Sequence, residues 1–125
     1  MRSLVLVTTF LFAAVCSGIG ATAKSEIEVL LSYVQRLEGA KFIRNGGEHS
    51  SSDAVAHLRL KWDRQAKRIT TAEEFITLCA SKSSLSGDRY KIKFKDGTVR
   101  NCDEVLREQL ALLRQKPNAA PPPSR

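Results

Sequence analysis

Apolar positions recur at helical spacing in four stretches of the chain and at strand spacing in one. The first stretch is the clearest. Ile27, Leu30, Leu31, Val34 and Leu37 fall on one side of a 3.6-residue period. Ser25 with Glu28 three residues on has the form of a capping box, and Gly39 is a natural stop. Next, Phe42 and Ile43 are followed by Asn45-Gly46-Gly47, which predicts a short extended piece and a turn with positive φ. Ser50 to Asp53 offer several caps for a second helix, whose stripe is Ala54, Val55, Leu58, Trp62 and Ala66. Leu60 lies well off that stripe, a position for a second element or a partner. Thr70 with Glu73 repeats the capping pattern and opens a third helix lined by Ala72, Phe75, Ile76 and Cys79. The polar run Ser81 to Gly87 ends it as a loop.

The period then changes to two. Tyr90, Ile92 and Phe94 alternate with Lys91, Lys93 and Lys95, the pattern of a strand with one wet face. Asp96-Gly97 is a hairpin turn signal, and Thr98 to Arg100 return. Asp103 is placed to cap a fourth helix carrying Val105, Leu106, Leu110, Leu112 and Leu113, with Pro117 as its stop. The expected fold class is α+β, with three to four helices packed on a small antiparallel β-hairpin that the Phe42–Ile43 segment could extend. Parallel βαβ units are not expected, because strands and helices do not alternate.

The ends of the chain read differently from its middle. Met1 and Arg2 precede an almost wholly apolar run from Leu4 to Ile19, and Ala21-Thr22-Ala23 places small residues where a signal peptidase reads. We read residues 1–23 as a signal peptide cleaved after Ala23. The run is short for a membrane span, so no transmembrane segment is expected after cleavage. Val15 is a poor residue to precede a lipidated Cys16, and cleavage removes that cysteine. Residues 24–116 then form a single globular domain. Residues 117–125, with Pro121, Pro122 and Pro123, form an expected disordered tail.

Cleavage leaves Cys79 and Cys102. In an oxidising compartment the pair is a disulfide candidate, worth about 3 kcal/mol by loop entropy if formed. The charge balance also shifts little. The whole chain carries a formal +7, and loss of Arg2 leaves 19 basic against 13 acidic side chains. Such a domain attracts anionic partners over long range. Arg59, Lys61, Arg64, Lys67 and Arg68 on the second helix, and Lys91, Lys93 and Lys95 on the hairpin, are the candidate anion-binding residues. If the two sets join, they form one patch suited to phosphate or carboxylate groups. Separate solvated faces are the alternative, and edge-strand lysines also discourage unwanted pairing.

The order of motifs carries a resemblance. FIRNGGEHSSSDAVAHLRLKW, then ITTAEEFITLCASKSSLSG, then the Tyr90 strand with Asp96-Gly97, resembles the YfeK-like family of small exported bacterial proteins, a domain of unknown function. The resemblance spans about residues 30–113. It implies a bacterial periplasmic or secreted setting and supplies no activity, ligand or catalytic residue. The cysteine pair is not part of the pattern.

Candidate chemistry is thin. Glu48, His49 and His57, with Asp53 nearby, are ligand types that zinc accepts, and Asp53 and His57 at i, i+4 share a helix face. Their spacing matches no known zinc motif. Caps and a His57–Asp53 hydrogen bond account for the same residues structurally. The serines from Ser81 to Ser86 lack a positioned base and a Gly-x-Ser-x-Gly elbow, so a backbone-capping loop is expected. No cofactor motif is present and none is expected. Trp62 and Phe75 sit on core faces, leaving no stacking platform for nucleic acid. The sequence therefore favours a noncatalytic envelope module binding a partner protein or an anionic envelope component. The alternative is a metal-dependent or acid–base enzyme using Glu48, His49 and His57.

Overall fold

A computed structural model describes residues 19–115. In chain order the elements are α1 (Ile19–Gln35), β1 (Lys41–Arg44), β2 (Gly47–His49), α2 (Ser51–Arg64), α3 (Ala72–Cys79), β3 (Lys91–Lys93), β4 (Val99–Asn101) and α4 (Cys102–Gln115). A 3₁₀ turn, Ala66–Arg68, follows α2. Four helices join a four-stranded antiparallel sheet of order β2-β1-β3-β4 in an α+β fold, with α2 against β1, α4 against β3 and β4, and α1 and α3 packed on the other helices.

Local chemistry explains where most elements begin. Ser50 caps α2 through its hydroxyl, which accepts from Asp53 N at 3.1 Å. The box that opens α3 is shifted by one residue from its expected place. Thr71 Oγ1 accepts from Glu74 N at 3.0 Å, and Glu74 Oε1 accepts from Thr71 N at 3.1 Å. Thr70, expected as the cap, instead adds its N–H and hydroxyl to the same carboxylate oxygen, both at 2.8 Å. The doubled Thr-Thr and Glu-Glu pairs make both registers legible, and the register with more donors on one carboxylate wins.

The first helix also departs from expectation. It begins at Ile19, so Ser25 lies inside it and not at its start. Cleavage after Ala23 would cut within this helix. Residues 1–18 of the expected address segment, and the expected tail, lie outside the described residues.

The Asn-Gly turn does more than was expected of it. Asn45 (φ 52°) and Gly46 (φ 79°) both have positive φ, the requirement of a two-residue turn that matches strand twist. It folds β2 back on β1 and converts the expected hairpin into a four-stranded sheet. The second hairpin turns at Gly97 (φ 93°), where Phe94 N donates to Thr98 O at 2.7 Å.

The core lies between sheet and helices. Phe42 and Ile92 from the sheet meet Leu30, Leu31 and Val34 of α1, Phe75 and Ile76 of α3, and Leu106 of α4 in one buried cluster. α1 touches each of the other three helices. Arg114 fastens the far end of α4 to both α1 and α3 by pairing with Glu26 and Glu73. Among the described residues no helix is long and apolar enough to cross a membrane.

Candidate functional site

Strand alternation sends Phe42 and Arg44 to the same side of β1, the side facing the helices. Register places Phe42 opposite both Ile92 and His49, and Arg44 opposite Gly47. Tyr90 stands one step before β3, and its carbonyl accepts from Cys102 N at 2.8 Å. Helix α2 lies over this corner with Asp53, Ala54, His57 and Leu58. Between them is a cavity of about 30 Å³, room for a few atoms. Gly47 contributes no side chain to the inner row, and His49 Nε2 lies in the space beside it.

A hydrogen-bonded line runs from the cavity into the core. His57 Nε2 lies 3.0 Å from Tyr90 Oη. Lys61 Nζ donates to the same oxygen at 3.2 Å and to Lys82 O at 3.0 Å. A lysine has only donors, so the Tyr90 oxygen accepts from it. The Tyr90 hydroxyl hydrogen is then left to donate to a neutral His57 Nε2, which assigns the ring proton to Nδ1. Lys61 is 7% exposed despite its charge.

Burial and crowded positive charge set the protonation of this line. Burial is the largest cause holding His57 at a pKa of about 4, with Arg44, Lys61, His49 and Arg64 adding to it. The ring is therefore neutral near pH 7. Burial also lowers Lys61, partly opposed by the Cys79 sulfur, and Arg44 lowers it further. Burial raises Tyr90, opposed by Arg44.

The sequence candidates are only partly assembled here. His49 and His57 both line the cavity. Glu48 does not, because alternation turns it to the outer face, where it meets Lys93 Nζ at 3.4 Å. Asp53 lines the cavity, but the hydrogen bond of His57 goes to Tyr90 instead. No group of three or more His, Cys, Asp or Glu side chains among the described residues is placed to hold a metal ion. Cys79 and Cys102 are separate buried thiols, not a bridge. Burial pushes them up to about 11 and about 12, which keeps both protonated and poorly nucleophilic.

The basic residues divide into unlike groups. Arg59 forks onto Glu28 of α1 at 2.8 and 3.1 Å, and Lys61 is buried. Arg64, Lys67 and Arg68 are exposed where α2 ends. Lys91 and Lys93 are exposed on the outer sheet face, and the Lys95 stem lies across Gly39. The helix set and the hairpin set thus lie apart, one at the end of α2 and the other on the outer sheet face. The outer face gains a residue the sequence reading missed. Lys41 stands directly opposite Lys93. Arg44 was missed as well; its signal was the Asn-Gly turn, which fixes the strand pairing and hence its inward side.

The serine loop does cap backbone. Ser83 Oγ accepts from Leu85 N at 3.1 Å and Ser86 N at 3.3 Å. Ser86 Oγ donates to Asn45 Oδ1 at 2.7 Å and so ties the loop to the β1–β2 turn.

A model of a family of unknown function, DUF5329, matches residues 21–114. The chain belongs to this family. A similar relative is the uncharacterized protein YfeK of Salmonella typhimurium, 38% identical over 74 residues, which cover 59% of this chain and 62% of that protein. The match thus spans less than two thirds of the relative's length. No solved structure matches the chain. Family membership places Asn45, Gly46, His49 and His57 within a matched region and assigns no chemistry to them.

Proposed function

We propose that this chain is exported and that its folded domain is a noncatalytic module binding an anionic component of the bacterial envelope through the outer face of its sheet. The observation that carries this is the cluster Lys41, Lys91 and Lys93, exposed on two neighbouring strands with Lys41 directly opposite Lys93. Like charges opposite each other in a sheet destabilise it by a few tenths of a kcal/mol, roughly. Glu48 offsets one of them. An anionic surface would relieve the rest, and the overall positive balance would steer the domain to it. The apolar run before Ala23 supports export as its address.

The test is co-sedimentation with phosphatidylglycerol vesicles against phosphatidylcholine vesicles at about 50 and about 500 mM salt, where screening lengths differ several-fold. Binding should be confined to the anionic vesicles, fall at least tenfold at high salt, and be lost in K41Q/K91Q/K93Q. Equal binding to both lipids, or binding indifferent to salt, overturns it. Export is checked separately by the mass of the protein from the periplasmic fraction. A chain starting at Lys24 is expected, and an intact Met1 terminus in the cytosol sinks that half. An acid–base or metal enzyme at Glu48, His49 and His57 has less support, because Glu48 faces away from the two histidines.

A further inference from the structure

Arg44 is half-buried at the wall of the inner cavity and has no ion pair or hydrogen-bonded acid among the described residues. Arg59, Arg89, Arg100 and Arg114 each pair with a carboxylate, whereas Arg36, Arg64 and Arg68, with no ion pair among the described residues, stand exposed in water. A guanidinium drawn out of water without an anion is costly, and the cost is relieved when one arrives. The space beside it is small and walled by Phe42, Ala54 and Leu58, with His49 and His57 on its rim.

We infer that this cavity is a binding site for the carboxylate head of a short organic acid, with Arg44 as its countercharge. The volume of about 30 Å³ admits a carboxylate and little more, so the rest of the ligand must extend out of the cavity. A planar carboxylate matches the fork of a guanidinium, and apolar walls suit a short aliphatic stem. The other charged and titratable groups around the cavity are accounted for. His49 comes from β2, His57 and Asp53 from α2, Tyr90 and Lys91 from the β3 side, and the buried, protonated Cys102 thiol from the start of α4. Lys61 stands behind Tyr90 and adds positive potential without reaching the cavity wall. Asp53 is the acid on that wall. It opposes an anion and would favour a cation, so its removal gives the two ligand classes opposite signs.

Binding must also act on His57. The positive charges that help hold it neutral would be offset by the ligand. A bound carboxylate therefore raises the pH at which the ring protonates, and protonation in turn tightens binding.

The experiment is an NMR titration of the full domain with propionate, N-acetyl-alanine and N-acetyl-alanine amide. Propionate alone shifting the amides of residues 42–58 indicates a free short acid. Acetyl-alanine binding at least as tightly indicates a chain-terminal carboxylate. Either outcome supports the site, and the amide should do nothing. R44Q should weaken carboxylate binding at least tenfold, R44K by less, and D53N should tighten it. Thermal unfolding of each variant checks that the fold is kept. Equal shifts with the amide, unchanged binding in folded R44Q, or weakening in D53N would overturn the inference. Lys41 and Lys93 stand on the outer sheet face, away from Arg44 and Asp53, and Lys91 borders both sites, so K41Q/K93Q beside R44Q lets either site fail without the other.

Discussion

The two faces of the sheet carry the same kind of charge and use it in opposite ways. On the outer face Lys41, Lys91 and Lys93 stand in water, where their charges are screened and their hydration is kept. On the inner face Arg44, His49, His57 and Lys61 share a corner with Tyr90, and burial and mutual repulsion drive His57 and Lys61 toward their neutral forms. Alternate residues of one strand thus meet two solvents. Position in the pleat, and not residue type, decides whether a basic side chain is a solvated surface feature or a strained interior group.

The sharpest way to break that contrast is to exchange one residue of each face. Ile92 and Lys93 are neighbours on β3, and Ile92 is 0% exposed. Ile92→Lys would place an ammonium among Phe42 and the core helices with no partner prepared for it. A loss of about 4 kcal/mol or more is expected, a large fraction of the total stability of a domain of this size. Lys93→Ile should change stability by less than ~0.5 kcal/mol, since the site stays wet. Urea unfolding followed by Trp62 fluorescence measures both. Comparable losses in the two variants would mean that the outer face is covered.

How much of this was legible beforehand follows the range of the interactions. α2 and α3 announce themselves through stripes and caps within a few residues, α4 through its stripe alone because it starts at Cys102 and takes the expected cap Asp103 inside it, and both hairpin turns through Asn45-Gly46 and Asp96-Gly97. The strand β2 could not be read directly. Gly47, Glu48 and His49 have no apolar alternation, and only pairing with β1 makes them a strand. The inner corner is less legible still. Arg44, His57, Lys61 and Tyr90 come together only because β1 pairs with β3 and α2 crosses them. The charge on Lys61 argued for a solvated face, yet it sits three residues after Leu58 on a helix buried from more than one side. Its Nζ finds a carbonyl in the serine loop, which no local pattern marks.

Lys61 sharpens the comparison at intermediate cost. Lys61→Ala removes a buried stem and leaves the Lys82 carbonyl without its donor, for a loss of about 2–3 kcal/mol. Lys61→Met keeps the stem and removes the buried charge. Its loss should be near 1 kcal/mol, because relief from desolvation offsets the missing hydrogen bonds. Equal losses in chemical denaturation would show that the ammonium, not the packing of its stem, holds α2 to the loop.

The smallest effect is the most specific, and it lies in pH. His57 is lowered from 6.5 to about 4 in the folded protein. The unfolded chain therefore binds the proton more readily. The stability tied to the neutral ring is present above pH 6.5 and is lost as pH falls from 6.5 toward 4. Solvent screens the half-buried ring in part, so the loss across that window is about 1–2 kcal/mol. The lowered carboxylates do not confuse the upper part of the window. Glu28 and Glu73, held down by hydrogen bonds from Arg59 and Arg114, titrate below their ordinary 4.5 and destabilise only at more acid pH. His57→Gln can still accept from Tyr90 but cannot protonate, so its stability between pH 6.5 and 5 should be flatter than that of the parent. Proton NMR of the ring gives the pKa directly. A value near 6.5, with parallel pH profiles for parent and variant, would mean that the inner corner is as wet as the outer face.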